Sequence, residues 1–248
     1  MADLSQSKKV LMLMRDDAKE HGLLCIASMY KFLKSKNLKK LDIISSPKNP
    51  SISIMERLLP GVEILTDLPK KKFVLTVNNE GNEVDNVQWQ QEENNLNIYI
   101  SVDKGSINLG DLKFDTIGAD YQTILLFGLS SLDASVKKVI DLNPELFLEA
   151  ELFGVGEDLV LSDDFKHSSS NKPGTSTIAE NTFILMAAES GNTPMPEDTV
   201  NMLYASILLE TENLTSKLKS PDIFSNLRKL YDQKVNLERV QKFLKIVK

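Results

Sequence analysis

A chain of 248 residues, 42% of them apolar, has room for one large α/β domain or two small ones and can bury a sizeable core. Its net charge of −6 argues against a general nucleic-acid binder, because phosphate contacts need clustered Lys and Arg. One cysteine, Cys25, excludes intrachain disulfides and a cysteine-rich zinc site, and two histidines, His21 and His167, exclude a histidine-rich one. No apolar run approaches the roughly 18–20 residues that span a bilayer. The run from Val10 to Met14 is too short for a signal-peptide core, so the expected location is cytoplasmic.

"KKVLMLMR" (8–15) reads as a first strand, apolar enough to be buried on both faces. The polar loop "DDAKEHG" follows, then "LLCIASMYKFLKSK" (23–36) with Leu23, Ile26, Ala27, Tyr30 and Leu33 at helical spacing. "LDIISS" (41–46) is a second strand, which completes a βαβ unit and predicts a parallel sheet. "NPSISIMERLLPG" (49–61) reads as a short helix or turn.

The segment 71–110 changes character. "KKFVLTVN", "VDNVQWQQ" and "LNIYISV" are β-prone and separated by polar turns, which predicts an inserted antiparallel ribbon of two or three strands. Alternation is clear at Leu96, Ile98 and Ile100 and loose at Val84 and Val87. The lone tryptophan, Trp89, reads as a packing residue of that ribbon.

"TILLFGL" (123–129) returns to a buried strand, and "SLDASVKKVIDLNPELF" (131–147) reads as a helix that stops near Asn143-Pro144. "DLVLS" (158–162) is a further strand, leading into the polar stretch "SDDFKHSSSNKPG". Four helices close the chain: "STIAENTFILMAAESG" (176–191), read as amphipathic; 195–214; 220–233, with a Ser cap and Pro at the first helical position; and 236–247. The expected fold class is α/β, a mainly parallel sheet flanked by helices, with the antiparallel ribbon inserted and a helical C-terminal third. The expected organisation is one domain over 1–248.

Walker, G-x-G-x-x-G, G-x-S-x-G and H-E-x-x-H signatures are all absent. The order of parts carries more. "LVLSDDFKHSSSNKPG", then "TSTIAE", then "ASILLETENL" resemble, in order and spacing, the D-H-H-x-x-N…G, S-S-T-A-E and G-I-x-x-D-T-x-x-F segments of the DHH phosphoesterases, the RecJ-like and oligoribonuclease group. The helical ending also resembles the end of that catalytic domain.

The resemblance implies a two-metal site, usually manganese, whose ligands come from four segments. Two divalent ions close together activate a water and stabilise the leaving oxygen, and oxygen and imidazole ligands suit manganese or magnesium. Most of the ligand positions are altered here. Aligning on Ser28 puts Gly22 and Leu24 where the first two aspartates belong. The second strand-end aspartate becomes Phe127 or Gly128. Aligning on Asn171 puts Lys166, His167 and Ser168 in the D-H-H positions, and Glu210 with Thr211 replaces the Asp-Thr pair. The residual family positions are therefore His167, Asn171, Glu210 and Thr211. No counterpart of the family's second, substrate-holding domain is expected within 1–248.

Thr177 to Glu180 fits a capping box, and the "SSSNKPGTST" stretch around it is a candidate anion cradle. Met12, Met14, Met29, Met186, Met202 and Cys25 read as core.

The expectation is a catalytically degenerate DHH-like domain kept as a protein-binding or scaffold module, needing no cofactor, whose partner is another protein or a second copy. One alternative is a manganese- or magnesium-dependent phosphodiesterase on short nucleotides. Its rearranged ligands would be Asp16, Asp17, Asp163, Asp164, His167 and Glu210. The other is a nucleotide or nucleic-acid binder without turnover.

Overall fold

The computed structural model describes residues 8–127 apart from Asn37, Pro69, Lys71, Asn79, Asn82 and Gly118; 139–155 apart from Leu142; 167–169; 177–218 apart from Asn192 and Lys217; and 222–248. Two compact units emerge, one built from Met1–Leu68 with Tyr121–Lys248 and the other from Pro69–Asp120.

The larger unit is built on a six-stranded parallel sheet. Its strands are β1 (Lys9–Leu13), β2 (Lys40–Ile44), β3 (Ile64–Leu65), β8 (Thr123–Phe127), β9 (Glu151–Val155) and β10 (His167–Ser169), in the order β10-β9-β8-β1-β2-β3. Both neighbours of β1 are in register with it, Met12 standing opposite Ile43 on one side and Leu125 on the other. Val10, Met12 and Met14 on one face and Leu11 and Leu13 on the other are all buried, which explains the unbroken apolar run of β1.

Helix α1 (Glu20–Lys34) follows β1, and α2 (Ile52–Leu58) lies between β2 and β3. Helix α3 (Pro144–Glu149) runs directly into β9. The C-terminal third supplies α4 (Ile178–Ser190), α5 (Glu197–Glu210), α6 (Ile223–Asp232) and α7 (Leu237–Val247). The architecture is α/β. The main core joins the Val10–Met12–Met14 face of the sheet to all of these helices except α3. Cys25 and the five methionines read as core are buried. Among the described residues no helix is long and apolar enough to cross a membrane.

Several elements differ from the sequence reading. The expected helix stop near Asn143 is present, since 139–141 are helical and Asn143 is not, but Pro144 then opens a second helix: it occupies the first turn of α3, where its missing N–H costs nothing. "ELFGV" is strand β9, and His167–Ser169 inside the polar stretch is an edge strand paired with β9 at Leu152–Gly154. The expected strand 158–162 lies outside the described residues. Helix α4 is not amphipathic in its first half, because Ala179 through Phe183 are all buried. Helix α6 starts at Ile223 with Asp222 as its N-cap residue, beyond the expected Ser-Pro start.

The smaller unit holds two separate antiparallel ladders. Strand β4 (Lys72–Val77) pairs with β7 (Leu112–Ile117), and β5 (Glu83–Gln91) pairs with β6 (Leu96–Lys104). The sequence reading, ending its ribbon at 110, did not contain β7. Trp89 does not pack inward; it is 71% exposed.

Candidate functional site

In an open α/β sheet, ligands bind beyond the carboxyl ends of the strands, where the strand order reverses. Here that point lies between β1 and β8. The chain leaves β1 toward β2 and β3, then returns to the other side of β1 as β8 and continues to β9 and β10. Residues 14–19, between β1 and the start of α1, therefore lie at the reversal.

Asp16 and Asp17 lie in this loop. Asp17 is held by Arg15 in a two-pronged ion pair, with Nε donating to Oδ1 at 2.7 Å and Nη2 to Oδ2 at 2.6 Å. Asp16 is partly buried, and its Oδ1 is cut off from solvent with no hydrogen-bond partner. The loop is pinned from the side of β2, where the Asn49 amide donates to the Arg15 carbonyl at 2.8 Å and to the Ser45 hydroxyl at 2.7 Å. Gly22 and Leu24, which the alignment on Ser28 puts at the first two aspartate positions, both lie inside α1. Ser28 itself is buried and donates to the Thr199 carbonyl at 3.0 Å. Phe127 ends β8 as a buried core residue.

Glu210 and Thr211 end helix α5. A carboxylate at a helix C-terminus opposes that helix's own dipole, but this one reaches the N-terminus of α4, where a negative charge is favoured. Glu210 accepts the N–H of Ile178 at 3.1 Å through Oε1 and that of Ala179 at 3.2 Å through Oε2. The Thr177 hydroxyl accepts the N–H of Glu180 at 3.1 Å, and the Glu180 carboxylate accepts the N–H of Thr177 at 3.1 Å. This reciprocal pair is the expected capping box. Together, Glu210 and the box satisfy all four backbone donors that a helix N-terminus leaves unbonded. The N-terminus of α4 is thus filled by the protein's own side chains, while residues 170–176 of the candidate anion cradle lie outside the described residues. Thr211 is also structural: it donates to the Ile207 carbonyl at 2.6 Å and accepts the N–H of Leu214 at 3.1 Å. That second bond spans Glu212, Asn213 and Leu214, three consecutive residues in the left-handed region with φ of 50°, 58° and 66°.

One residue at this place carried no sequence signal. His21, in the first turn of α1, has its Nε2 4.0 Å from Glu210 Oε1. The His21 carbonyl accepts from Ser206 of α5 at 2.8 Å, and the Ser206 hydroxyl lies 3.1 Å from the Cys25 sulfur. Burial pushes the Cys25 thiol up to about 12, and the Glu210 charge adds to this against the hydroxyls of Ser206 and Thr182. His21, Cys25, Ser206 and Glu210 thus form one polar seam where α1 and α5 meet the start of α4.

Asp163, Asp164, Lys166 and Asn171 lie outside the described residues, and His167 is placed only as backbone in β10. Among the described residues no three His, Cys, Asp or Glu side chains converge as a metal site. Glu210 faces backbone N–H donors and Asp17 faces a guanidinium, so these two carboxylates do not fit a two-metal centre as they stand.

No protein-family model matches the sequence, and no curated protein matches it. Among solved structures, an exopolyphosphatase-related protein from Bacteroides fragilis is similar, with a TM-score of 0.51 at 11% identity. The match covers 97% of this chain but 57% of that one, so the chain spans a little over half the length of its structural neighbour. At that identity the likeness is one of fold.

Proposed function

We propose that this chain is a phosphoesterase-like α/β domain, of DHH type, whose metal cleft has been converted into structure, and that it works as a binding module for protein. The observation that carries the reading is the engagement of Glu210. The carboxylate that stands for a family metal ligand has both oxygens directed at the N–H groups of α4. A dication there would have to displace two charge-assisted hydrogen bonds and face the positive end of a helix dipole. Arg15 on Asp17 adds a positive charge at the strand-order reversal, where two dications would need uncompensated negative ligands. The similarity to an exopolyphosphatase-related protein supports ancestry in phosphoester chemistry without carrying over its activity.

A second reading rests on Asp16. A carboxylate oxygen shut off from water without a donor is costly, and a bound cation would relieve that cost. It leads to a manganese-dependent phosphodiesterase in which Asp16 is joined by Asp163, Asp164 and His167. Hydrolysis of a chromogenic phosphodiester and of short oligoribonucleotides, with manganese present, separates the two readings. The binding-module reading expects no turnover above buffer. Turnover abolished by Asp16→Asn would establish the second reading instead.

A further inference from the structure

The β5–β6 ribbon has one face of exposed apolar side chains. In an antiparallel ladder, directly opposed residues share a face. The register opposes Val87 to Ile100 and Trp89 to Ile98, with Leu96 at the end opposite Gln91. The other face carries Asn86, Gln88, Gln90, Asn97 and Ser101, with Tyr99 as its one aromatic. A bulge then extends the apolar face. Asp85 is an extra residue between Val84 and Asn86, so Val84, opposed to Val102, falls on the same side as Val87 and Trp89. Trp89 is 71% exposed, Leu96 61%, Val87 59% and Ile98 45%.

A two-stranded ribbon is at best marginally stable alone. An exposed apolar patch of more than a few hundred Å² marks a contact surface. With about 150–250 Å² for a large side chain, these four residues leave on the order of 450 Å² of this face in water. We infer that the face is the interface for a second copy of this chain, two ribbons packing face to face into a four-stranded sandwich.

Area and chemistry favour this occupant. Two such patches with their half-buried neighbours remove about 1,000 Å², the least that a specific interface buries and the size of a weak dimer. The paired residues that form the face are uncharged, so two copies of it meet without repulsion between them. A shared patch on both subunits closes the assembly at two copies by a two-fold axis. Facing sheets interdigitate about 10 Å apart, with Trp89 of one ribbon near the centre of the other. The inference rests on the binding-module reading and names its partner.

Analytical ultracentrifugation over a concentration series tests it, with the emission of Trp89, the chain's single tryptophan, read on the same samples. The expected result is a dimer whose tryptophan emission shifts to shorter wavelength as the dimer forms. Ile98→Lys should weaken association by at least about 30-fold, the effect of removing an interface hot spot. Gln88→Lys, on the polar face, should leave association unchanged, and far-ultraviolet circular dichroism checks that both variants stay folded. A chain that remains monomeric across the series overturns the inference, whether Trp89 emits as solvent-exposed or as covered. So does a dimer indifferent to Ile98→Lys. Phosphodiester turnover by a dimer would remove the binding-module reading and leave the dimer standing; a monomer without turnover would do the reverse.

Discussion

The carboxylate of Glu210, the last residue of α5, accepts the backbone N–H of Ala179, in the first turn of α4, at 3.2 Å. With the matching bond to Ile178, this contact makes the Glu210 carboxylate a cap on α4. It also predicts what happens when the carboxylate is removed. Hydrogen bonds to a charged group contribute about 1.5–3 kcal/mol, and orphaning a buried donor adds a desolvation cost. Glu210→Ala should therefore lower stability by about 2–3 kcal/mol in urea unfolding, with Glu210→Gln intermediate because one acceptor oxygen remains. A metal ligand in a metal-free protein behaves in the opposite way, since removing one of several crowded carboxylates relieves repulsion.

The same seam sets the chemistry of Cys25. Its thiol is fully buried and pushed up to about 12, so the reactive thiolate is scarce at neutral pH. Labelling by a disulfide reagent at pH 8 should follow the rate of global unfolding and accelerate when Glu210→Ala destabilises the chain. Labelling within seconds in native buffer would show that α1 and α5 part locally. The sign of the pH effect follows from linkage. A group with a raised folded pKa favours the folded state below its unfolded pKa. That contribution falls as pH rises between about 9 and 12, by about 1.4 kcal/mol per pH unit.

Asp198 gives the acid limb. Burial alone would raise its pKa, but Lys31 at 2.6 Å and Arg239 at 2.7 Å outweigh this and hold the carboxyl below its ordinary value. A lowered folded pKa gives stability that is present above the unfolded carboxylate range and lost as pH falls through the folded value. The urea midpoint of wild type should thus exceed that of Asp198→Asn at pH 7, and the two should converge as pH falls below about 4. The carboxylate ties α1 to α7 through α5. Lys31 belongs to the lysine-rich stretch 31–40 and Arg239 to the basic stretch 234–248, so each stretch contributes one of these cations.

The left-handed run after Thr211 has its own test. Each non-glycine residue in this conformation costs roughly 1–2 kcal/mol, less for Asn. Exposed Glu212, with φ of 50°, is the position where glycine relieves the strain without removing core packing. Glu212→Gly should raise the urea midpoint, by the equivalent of about 0.5–1 kcal/mol after the added flexibility of the unfolded chain is counted.

Much of the fold was legible because the larger unit obeys simple periodicities. β1 and β8 are unbroken apolar runs, as strands buried on both faces must be, and α7 carries a clear helical stripe. The failures have specific causes. Helix α1 is buried almost all round, so its apolar pattern marks no boundary, and its true start at Glu20 lies before the first apolar residue. Gly22, read as the last loop residue, therefore lies in the first turn of α1. Strand β9 was missed because it is five residues long and Gly154 interrupts it. The loose alternation at Val84 and Val87 is a bulge, which shifts the two-residue period by one.

The candidate site was legible in part. Thr177 to Glu180 could be read as a capping box because its spacing is local. The partner of Glu210 could not, since its contact with Ile178 and Ala179 joins residues more than thirty positions apart. His21 lies further still from Glu210, and a lone histidine before an apolar helix carries no mark of its partner.

The central claim is that the cleft's carboxylates now hold the fold together instead of metal. Isothermal titration of the purified chain with manganese tests it most directly, with Glu210→Gln and His167→Ala titrated alongside. The account predicts no binding of a pair of ions and no difference among the three proteins. Two manganese ions bound at micromolar affinity, and lost in both variants, would contradict it.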